Sequence, residues 1–504
     1  MTSKPRHLHP LSMLVNAIQI FWMLAVIIFV DIATDNGGRN AILQDMAHWL
    51  VLIILGVIGI TLLLVVLPYV MTTYELTDKG VTLNRGVLRR QHLHVTYARI
   101  QTVQHLQWFF LKPLGLEKVQ IETAARGSGH GEVVLTLVHA SVGTEIERRQ
   151  QAARAAAPGA QTTPVAGMDS DTDIATDNAT VASTTYRLPN EDLLIFGITS
   201  LGFIPLIFLL LAVWSRVSEW IPGVEDWLAN LLMHLPAISI VVLLVVIIGL
   251  GVMTEFVRIL IRYWGFTLDF DGRRLQSRKG LLQTNTVTAT AKRIQAVRYK
   301  QNIIRQWLSV GTAQVILASN VASKEDDKDM VIYPLVHQDH VWEQLTRYVS
   351  WLPDRIPAVT PVMTGYWALI RNALILPVIA VIPCIIWLRP WGWLSLLLLV
   401  WGGLQGRYAA TRRGYVTAGR FIYLQTGRWF ERELLVSPRD RVQSLTVRQS
   451  WWMVRTGLAH VQVSLRRGDG EYEVDLRYVP LAVGEAIYQW YLGDNVVDVA
   501  TTAP

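Results

Sequence analysis

The chain has 504 residues, of which 51% are hydrophobic and 17% charged, with a formal net charge of +7. Its mean hydropathy is +0.31, and a soluble chain carries about 25% charged residues, so the balance points to a membrane protein and away from an ordinary water-soluble one. The single cysteine, Cys384, excludes an intrachain disulfide and, lying in an apolar run, reads as a small buried hydrophobe.

The first predicted elements are two apolar segments, Leu11–Val30 and Trp49–Val70, each about the 20 residues a helix needs to cross a bilayer. The first is longer than a signal-peptide core and lacks a small-residue cleavage site, so it reads as an uncleaved anchor. Two further pairs follow, Leu193–Trp214 with Pro236–Ile261 and Ala368–Leu388 with the shorter Trp391–Leu404. Six membrane-spanning helices in three hairpins are therefore expected, with tryptophans such as Trp49, Trp214, Trp264, Trp367 and Trp391 at their ends as an aromatic belt. Lys4, Arg6 and the Lys and Arg of the large polar segments place the N-terminus and those segments in the cytoplasm, against Arg39, Arg216 and Arg389 on the other side. Basic clusters such as Arg85, Arg89 and Arg90, or Arg407, Arg412 and Arg413, then face anionic lipid rather than nucleic acid.

After each pair the chain repeats itself. Ala98-Arg-Ile-Gln-Thr-Val-Gln returns as Lys292-Arg-Ile-Gln-Ala-Val-Arg and as Asp440-Arg-Val-Gln-Ser-Leu-Thr. A second glutamine lies six positions after the first in each copy, at Gln107, Gln301 and Gln449. Bulky apolar clusters follow: Trp108-Phe109-Phe110-Leu111, Ile303-Ile304 with Trp307-Leu308, and Trp451-Trp452-Met453-Val454. Upstream and downstream, period-2 alternation punctuated by Gly86, Gly280 and Gly427 predicts antiparallel hairpins. Each copy is expected to close with a helix such as His340–Val349 or Val483–Tyr491. Residues 141–185, rich in Ala, Thr, Asp and Gly, read as a disordered insertion, with Tyr186-Arg-Leu-Pro-Asn as the closing strand of the first copy.

These motifs resemble the bacterial pleckstrin-homology domain of the YdbS/YdbT type of membrane protein, carried by Arg99-Ile-Gln, Arg293-Ile-Gln and Arg441-Val-Gln, the second glutamines and the apolar clusters. The expected class is an α+β membrane protein with six transmembrane helices in three hairpins, each followed by a PH-like antiparallel β-barrel capped by a C-terminal helix. Its parts are hairpins at 1–71, 193–262 and 366–408, PH-like domains at 72–192, 263–352 and 409–493, and a disordered tail at 494–504. The resemblance implies a non-enzymatic role in the bacterial cell envelope, in tolerance of stress or membrane-active peptides, with a partner membrane protein encoded alongside.

No catalytic constellation, cofactor motif or metal site emerges from the residues. Gly127-Ser-Gly-His-Gly lacks the strand–elbow–helix context of a nucleophile and reads as a hairpin turn. His92 with His94, and His337 with His340, lack third and fourth ligands. The spans place few ionisable groups at membrane depth, Asn16 and Gln19 being the main interior polar residues, which argues against transport. The reading is a membrane-anchored scaffold that presents three domains to anionic lipid headgroups or a partner membrane protein; a transport or export subunit is the alternative. The candidate contact residues are Arg99, Arg293, Arg441, Trp108, Trp307, Trp451 and Trp452. The arginines would grip phosphates or instead fix the barrel, with the glutamines bonding turn backbone; the tryptophans would wedge into the inner leaflet or instead pack on the barrel or the spans.

Overall fold

The computed structural model describes residues 5–13, 65–86, 90–123, 132–155, 184–200, 230, 237–318, 329–387, 391–468 and 470–493. The chain divides into two compact units, Met1–Thr180 with Ser200–Gly265 and Arg278–Val287, and Val181–Thr199 with Phe266–Ser277 and Thr288–Pro504.

The first copy opens with a four-stranded antiparallel sheet, β1 (Arg6–His7), β2 (Thr73–Leu76), β3 (Gly80–Arg85) and β4 (Gln91–Thr96), in that order. Tyr74 faces Leu83 and Leu76 faces Val81, so alternate residues point inward. A 3-10 turn, Tyr97–Arg99, leads to a meander of β5 (Ile100–Trp108), β6 (Leu116–Thr123) and β7 (Glu132–His139). Helix α1 (Ala140–Ala155) closes the core with Val142 and Ile146 against Ile100, Val103 and Val119.

That helix corrects the expectation of disorder from residue 141. Ile146 is fully buried and Gln150 donates to Ile100 O at 2.9 Å. Burying one such side chain is worth roughly 1.5–3 kcal/mol, which anchors a segment otherwise poor in apolar residues. The expected closing strand is also reassigned. Strand β8 (Thr184–Arg187) pairs antiparallel with β9 (Thr267–Phe270), so it opens the second copy and does not close the first. Between them lie α2 (Asn190–Ile198) and α3 (Ala237–Tyr263). Residues 156–183 and the tail 494–504 are outside the described residues.

The second copy continues with β10 (Arg274–Lys279), β11 (Gln283–Thr290), the 3-10 turn Ala291–Arg293, β12 (Ile294–Asn302), α4 (Ile303–Trp307), β13 (Val310–Leu317), β14 (Met330–His337) and α5 (Val341–Thr346). The third repeats the order: β15 (Thr360–Pro361), α6 (Tyr366–Trp387), a 3-10 turn, α7 (Leu396–Thr411), β16 (Gly414–Ala418), β17 (Phe421–Arg428) and β18 (Glu431–Pro438). After the turn Arg439–Arg441 come β19 (Val442–Arg448), α8 (Trp451–Thr456), β20 (Leu458–Arg467), β21 (Gly470–Pro480) and α9 (Leu481–Leu492). Each copy thus has a front half of short strands and a back half of three longer ones capped by a helix. In the third copy, Ile422, Leu424 and Leu435 of the front half share one core with Val461, Val463 and Leu476 of the back half, beneath Ile487 and Trp490 of α9.

The copies are not separate barrels. In the second unit, the back half of copy two and the front half of copy three form one seven-stranded sheet, β14-β13-β12-β18-β17-β16-β15. Its seam is antiparallel, in register from Val297↔Val436 to Asn302↔Glu431. In the first unit, β5 has the Gln283–Val287 part of β11 as its neighbour.

The expected six spans are not supported. Among the described residues one helix, Tyr366–Ile386, combines the length and apolarity needed to cross a membrane. Ala237–Tyr263 is longer but carries Glu255, Arg258 and Arg262 in its last turns. Leu396–Thr411, the core of the expected sixth span, is only 16 residues, about 24 Å of helix against a hydrocarbon core of about 30 Å. Most of the segments expected at 11–30, 49–70 and 193–214 lies outside the described residues. The two helices α6 and α7 pack through small residues: a Cβ on Gly406 would meet Ile370 Cα at 2.7 Å, and one on Gly402 would meet Pro377 Cγ at 2.9 Å.

Candidate membrane-interface site

The glutamine that recurs in every copy makes the same bond each time. Gln107 Nε2 donates to Leu116 O at 3.4 Å, Gln301 Nε2 to Val310 O at 2.8 Å and Gln449 Nε2 to Leu458 O at 2.7 Å. Each acceptor lies nine residues on, at the start of the next strand. The bond closes the neck of a protruding loop, and the loop carries the apolar cluster. The glutamines therefore fix turn backbone, as one of the two readings of the sequence held.

Necked this way, the loop turns some rings outward and tucks others in. Trp307 is 84% exposed and Trp451 75% exposed, on the short helices α4 and α8. Trp108, Phe109 and Phe110 are also exposed, and Phe110 lies 5.5 Å edge-on to Phe109. Trp452 behaves differently. It packs on Tyr478 at 5.7 Å and lies under the Arg371 guanidinium at 4.8 Å, beside helix α6. The adjacent tryptophans of the third copy thus have separate environments, one on the surface and one against a helix.

A second set of rings joins the first, and the sequence reading missed it. The tip of the β17–β18 hairpin carries Trp429 and Phe430, both at positive φ and so held in a tight turn. The side chain of Trp401, on α7, lies 5.4 Å from Trp429 and 6.4 Å from Phe430, and Tyr408 lies 5.5 Å from Phe430. The next residue, Glu431, pairs with Asn302, the N-cap of α4, and Gln306 Nε2 donates to the Tyr408 hydroxyl. Trp401 and Trp429 thus meet on the flank of α7, and α4, which carries Trp307, is tied to Tyr408 near the C-terminal end of the same helix. The signal that was available was two aromatics at a hairpin tip, where polar turn residues are the rule. In the first unit Leu281 and Leu282 hold the equivalent tip, both exposed, and Phe109 N donates to Leu282 O at 2.7 Å. There Lys279 Nζ lies 4.5 Å over the Tyr263 ring at the end of α3.

The loop of the second copy also holds a buried cation. Arg305 donates to Phe196 O at 3.0 Å, to Thr199 Oγ1 at 3.0 Å and to Thr312 Oγ1 at 2.9 Å, with its guanidinium 4.4 Å over the Phe196 ring. It sits at the C-terminal end of α2, where the helix dipole favours a cation. The same position in the other copies holds Leu111 and Met453, both buried.

The three motif arginines occupy equivalent places, each the last residue of a 3-10 turn, in unlike surroundings. Arg99 is exposed. Arg293 is half-buried, and burial, then the neighbouring Arg466, pull its guanidinium below the usual range. Arg441 lies 5.1 Å over the Trp351 ring, and burial lowers its pKa against the pull of Asp440. Among the described residues none of them makes a ring contact with the exposed tryptophan of its own copy, Trp108, Trp307 or Trp451. His92 and His94 bond across the hairpin to Asn84 and Thr82, and no His, Cys, Asp or Glu group among the described residues is arranged to hold a metal ion. The Gly127–Gly131 stretch lies outside the described residues.

A family model of the bacterial PH domain matches residues 20–154, 194–349 and 364–495. The chain belongs to the bacterial PH domain family. Its three matches follow the three copies seen in the strands, and the recurring Gln clamp is part of what this chain repeats. The chain is also 25% identical, over 97% of its own length and 99% of the relative's, to the UPF0699 transmembrane protein YdbT of Bacillus subtilis (strain 168). Association with a membrane is thus shared by composition and kinship. No solved structure matches the chain.

Proposed function

We propose that this bacterial PH domain protein is a non-enzymatic scaffold of the bacterial cell membrane. Its PH-like copies lie on the cytoplasmic side, held flat against the lipid by their necked loops. The observation that carries the reading is the set of exposed rings borne by α4, α7 and the β17–β18 tip, with Trp401 against Trp429 and Trp307 84% exposed on α4, which Gln306 ties to Tyr408 of α7. Exposed rings of this kind are costly in water, and indole is favoured at the headgroup level of a bilayer. Arg412 stands over the Tyr408 ring of the same helix, and in the first unit Lys279 stands over Tyr263 at the end of α3, each placed for an anionic headgroup. Copies held side by side on one membrane would present their remaining faces to a partner membrane protein at high effective concentration.

The test uses the full chain with Cys384→Ala and a nitroxide attached at Trp307→Cys, in vesicles containing anionic lipid. Strong relaxation by oxygen and weak relaxation by a water-soluble nickel chelate supports insertion at the interface. The reverse pattern sinks the reading and returns the cluster to a protein-docking role.

A further inference from the structure

The seam between copies has two sides, and among the described residues the first and third copies each leave one of them unused. The back-half strand of one copy pairs with the last front-half strand of the next: β12 with β18, and β5 with β11. The two seams share one register. Asn302 faces Glu431, so Ile303 and Phe430 come next, and the corresponding Phe109 and Leu282 are joined by the 2.7 Å bond from Phe109 N. The last front strand of the first copy and the first back strand of the third have no such neighbour among the described residues. Accordingly β4 ends its sheet, in the order β1-β2-β3-β4, and β19 ends its sheet, in the order β19-β20-β21. Among the described residues neither has a strand on its outer side.

The exposure of these strands follows from that. In β12, Ala296, Val297, Arg298 and Tyr299 are all buried, whereas of their equivalents in β19 Leu445 is buried, Thr446 and Val447 are half-buried and Ser444 is exposed. In β18, Leu435 and Val436 are buried, whereas in β4 the equivalent Leu93 is half-buried and His94 exposed. A row of unpaired backbone groups on an edge strand is a template for another strand.

We propose that a second copy of this chain docks there, β19 of one copy adding antiparallel to β4 of the next. A second copy is the occupant because it brings the complementary edge already built, and because the contact would continue a seam the chain makes internally. The internal register transfers directly. The glutamines align β19 on β12, and the following 3-10 turns align β4 on β18. Leu445 should then face His94, Thr446 face Leu93, Val447 face His92 and Arg448 face Gln91. None of these four pairs sets two acids, or two lysines or arginines, against each other. The contact is head-to-tail, so it leaves a free edge at each end and builds beyond a dimer unless a ring closes.

The experiment places Thr446→Cys and Leu93→Cys on the full chain with Cys384→Ala, oxidised gently in native membranes. The expected result is disulfide-linked dimers and larger species, absent when Val95→Cys replaces Leu93→Cys out of register. Independently, the unmodified chain in mild detergent should have the mass of two or more copies, and Val447→Pro, which removes a backbone donor from the edge, should lower it. A single-chain mass for the unmodified protein, or a disulfide formed only within one chain, overturns the proposal. So does equal linking through Val95.

Discussion

The guanidinium of Arg467, in the third copy, lies 2.9 Å from the buried carboxylate of Asp329, in the second. Arg298 holds the other oxygen of that carboxylate and donates to the Tyr472 hydroxyl at 3.1 Å, and Tyr472 in turn donates to Glu433. The cluster bonds side chains of two copies behind the β12–β18 seam. Removing one partner of a buried pair strands the other charge, which costs about 3–5 kcal/mol. Asp329→Ala should therefore lower the thermal midpoint of the full chain strongly. Arg298→Met with Asp329→Leu should lower it less, because no deeply buried charge is left alone. Equal losses in the two variants would show that the ion pair itself, and not the stranded charge, is what matters.

The glutamine clamp predicts graded effects. Gln301 bonds Val310 O and Tyr299, and accepts from Arg432 Nε at 3.0 Å. Gln107 makes its single clamp bond at the longer distance of 3.4 Å. Leaving buried polar groups unpaired costs about 1–3 kcal/mol each. Gln301→Ala should destabilise most, Gln449→Ala less and Gln107→Ala least, read as the order of thermal midpoints and as hydrogen exchange at Val310, Leu458 and Leu116.

His105 makes the first copy sensitive to pH. Burial opposes its charge, but bonds to Glu117, at 2.8 Å, and Glu147 outweigh this and raise its pKa to about 9. A pKa raised on folding adds stability that is full below the unfolded value of about 6.5 and is lost as pH rises through about 9. The change is roughly 3 kcal/mol at most. Protection in β6 and α1, after division by the intrinsic base-catalysed exchange rate, should fall from about pH 6.5 to about 9.5, and His105→Gln should flatten that dependence. A wild-type profile that is already flat would refute the assignment.

Two neighbouring glycines of α7 should differ sharply. A Cβ on Gly406 meets Ile370 Cα at 2.7 Å, whereas one on Gly403 meets nothing within 4 Å. Gly406→Val should splay α6 from α7, seen as a lower midpoint and faster proteolysis. Gly403→Ala should be neutral or slightly stabilising, since alanine is the better helix former.

At the interface, Trp307→Ser with Trp429→Ser should weaken quenching of the remaining tryptophans by brominated lipid, and Trp452→Ser should act instead on stability. Trp452 is packed between Tyr478 and Arg371, so its removal opens a cavity beside α6. If Trp452→Ser changed lipid quenching and left the midpoint alone, this division of roles would be wrong.

Much of this architecture was legible because it is local. Period-2 alternation, the Arg-Ile-Gln and Arg-Val-Gln recurrences and the second glutamine show three copies, their hairpins and the glutamine bonds to turn backbone. Helix α1 was not legible: its composition is that of a flexible segment, and the two side chains that hold it, Val142 and Ile146, matter only because a pocket of the first copy receives them. The aromatic tip at Trp429 and Phe430 was overlooked because its partner, Trp401, is distant in sequence. The expected sixth span, Trp391–Leu404, was misjudged for a related reason: hydropathy counts apolar residues and does not see that the helix there begins only at Leu396.

The sequence by itself determined that the chain is apolar, triplicated and built of short antiparallel strands with glutamine-necked loops. Those features depend on the order of neighbouring residues, which covalent spacing carries into the fold. The tertiary structure alone decided which strand pairs with which. A strand edge is chemically the same backbone in every copy, so nothing in β8 marks it as the opening strand of copy two, and nothing in β12 names β18 as its neighbour. Those choices come from the packing of side chains far apart in the chain, and the same packing decided which of the repeated arginines and tryptophans are buried and which remain on the surface.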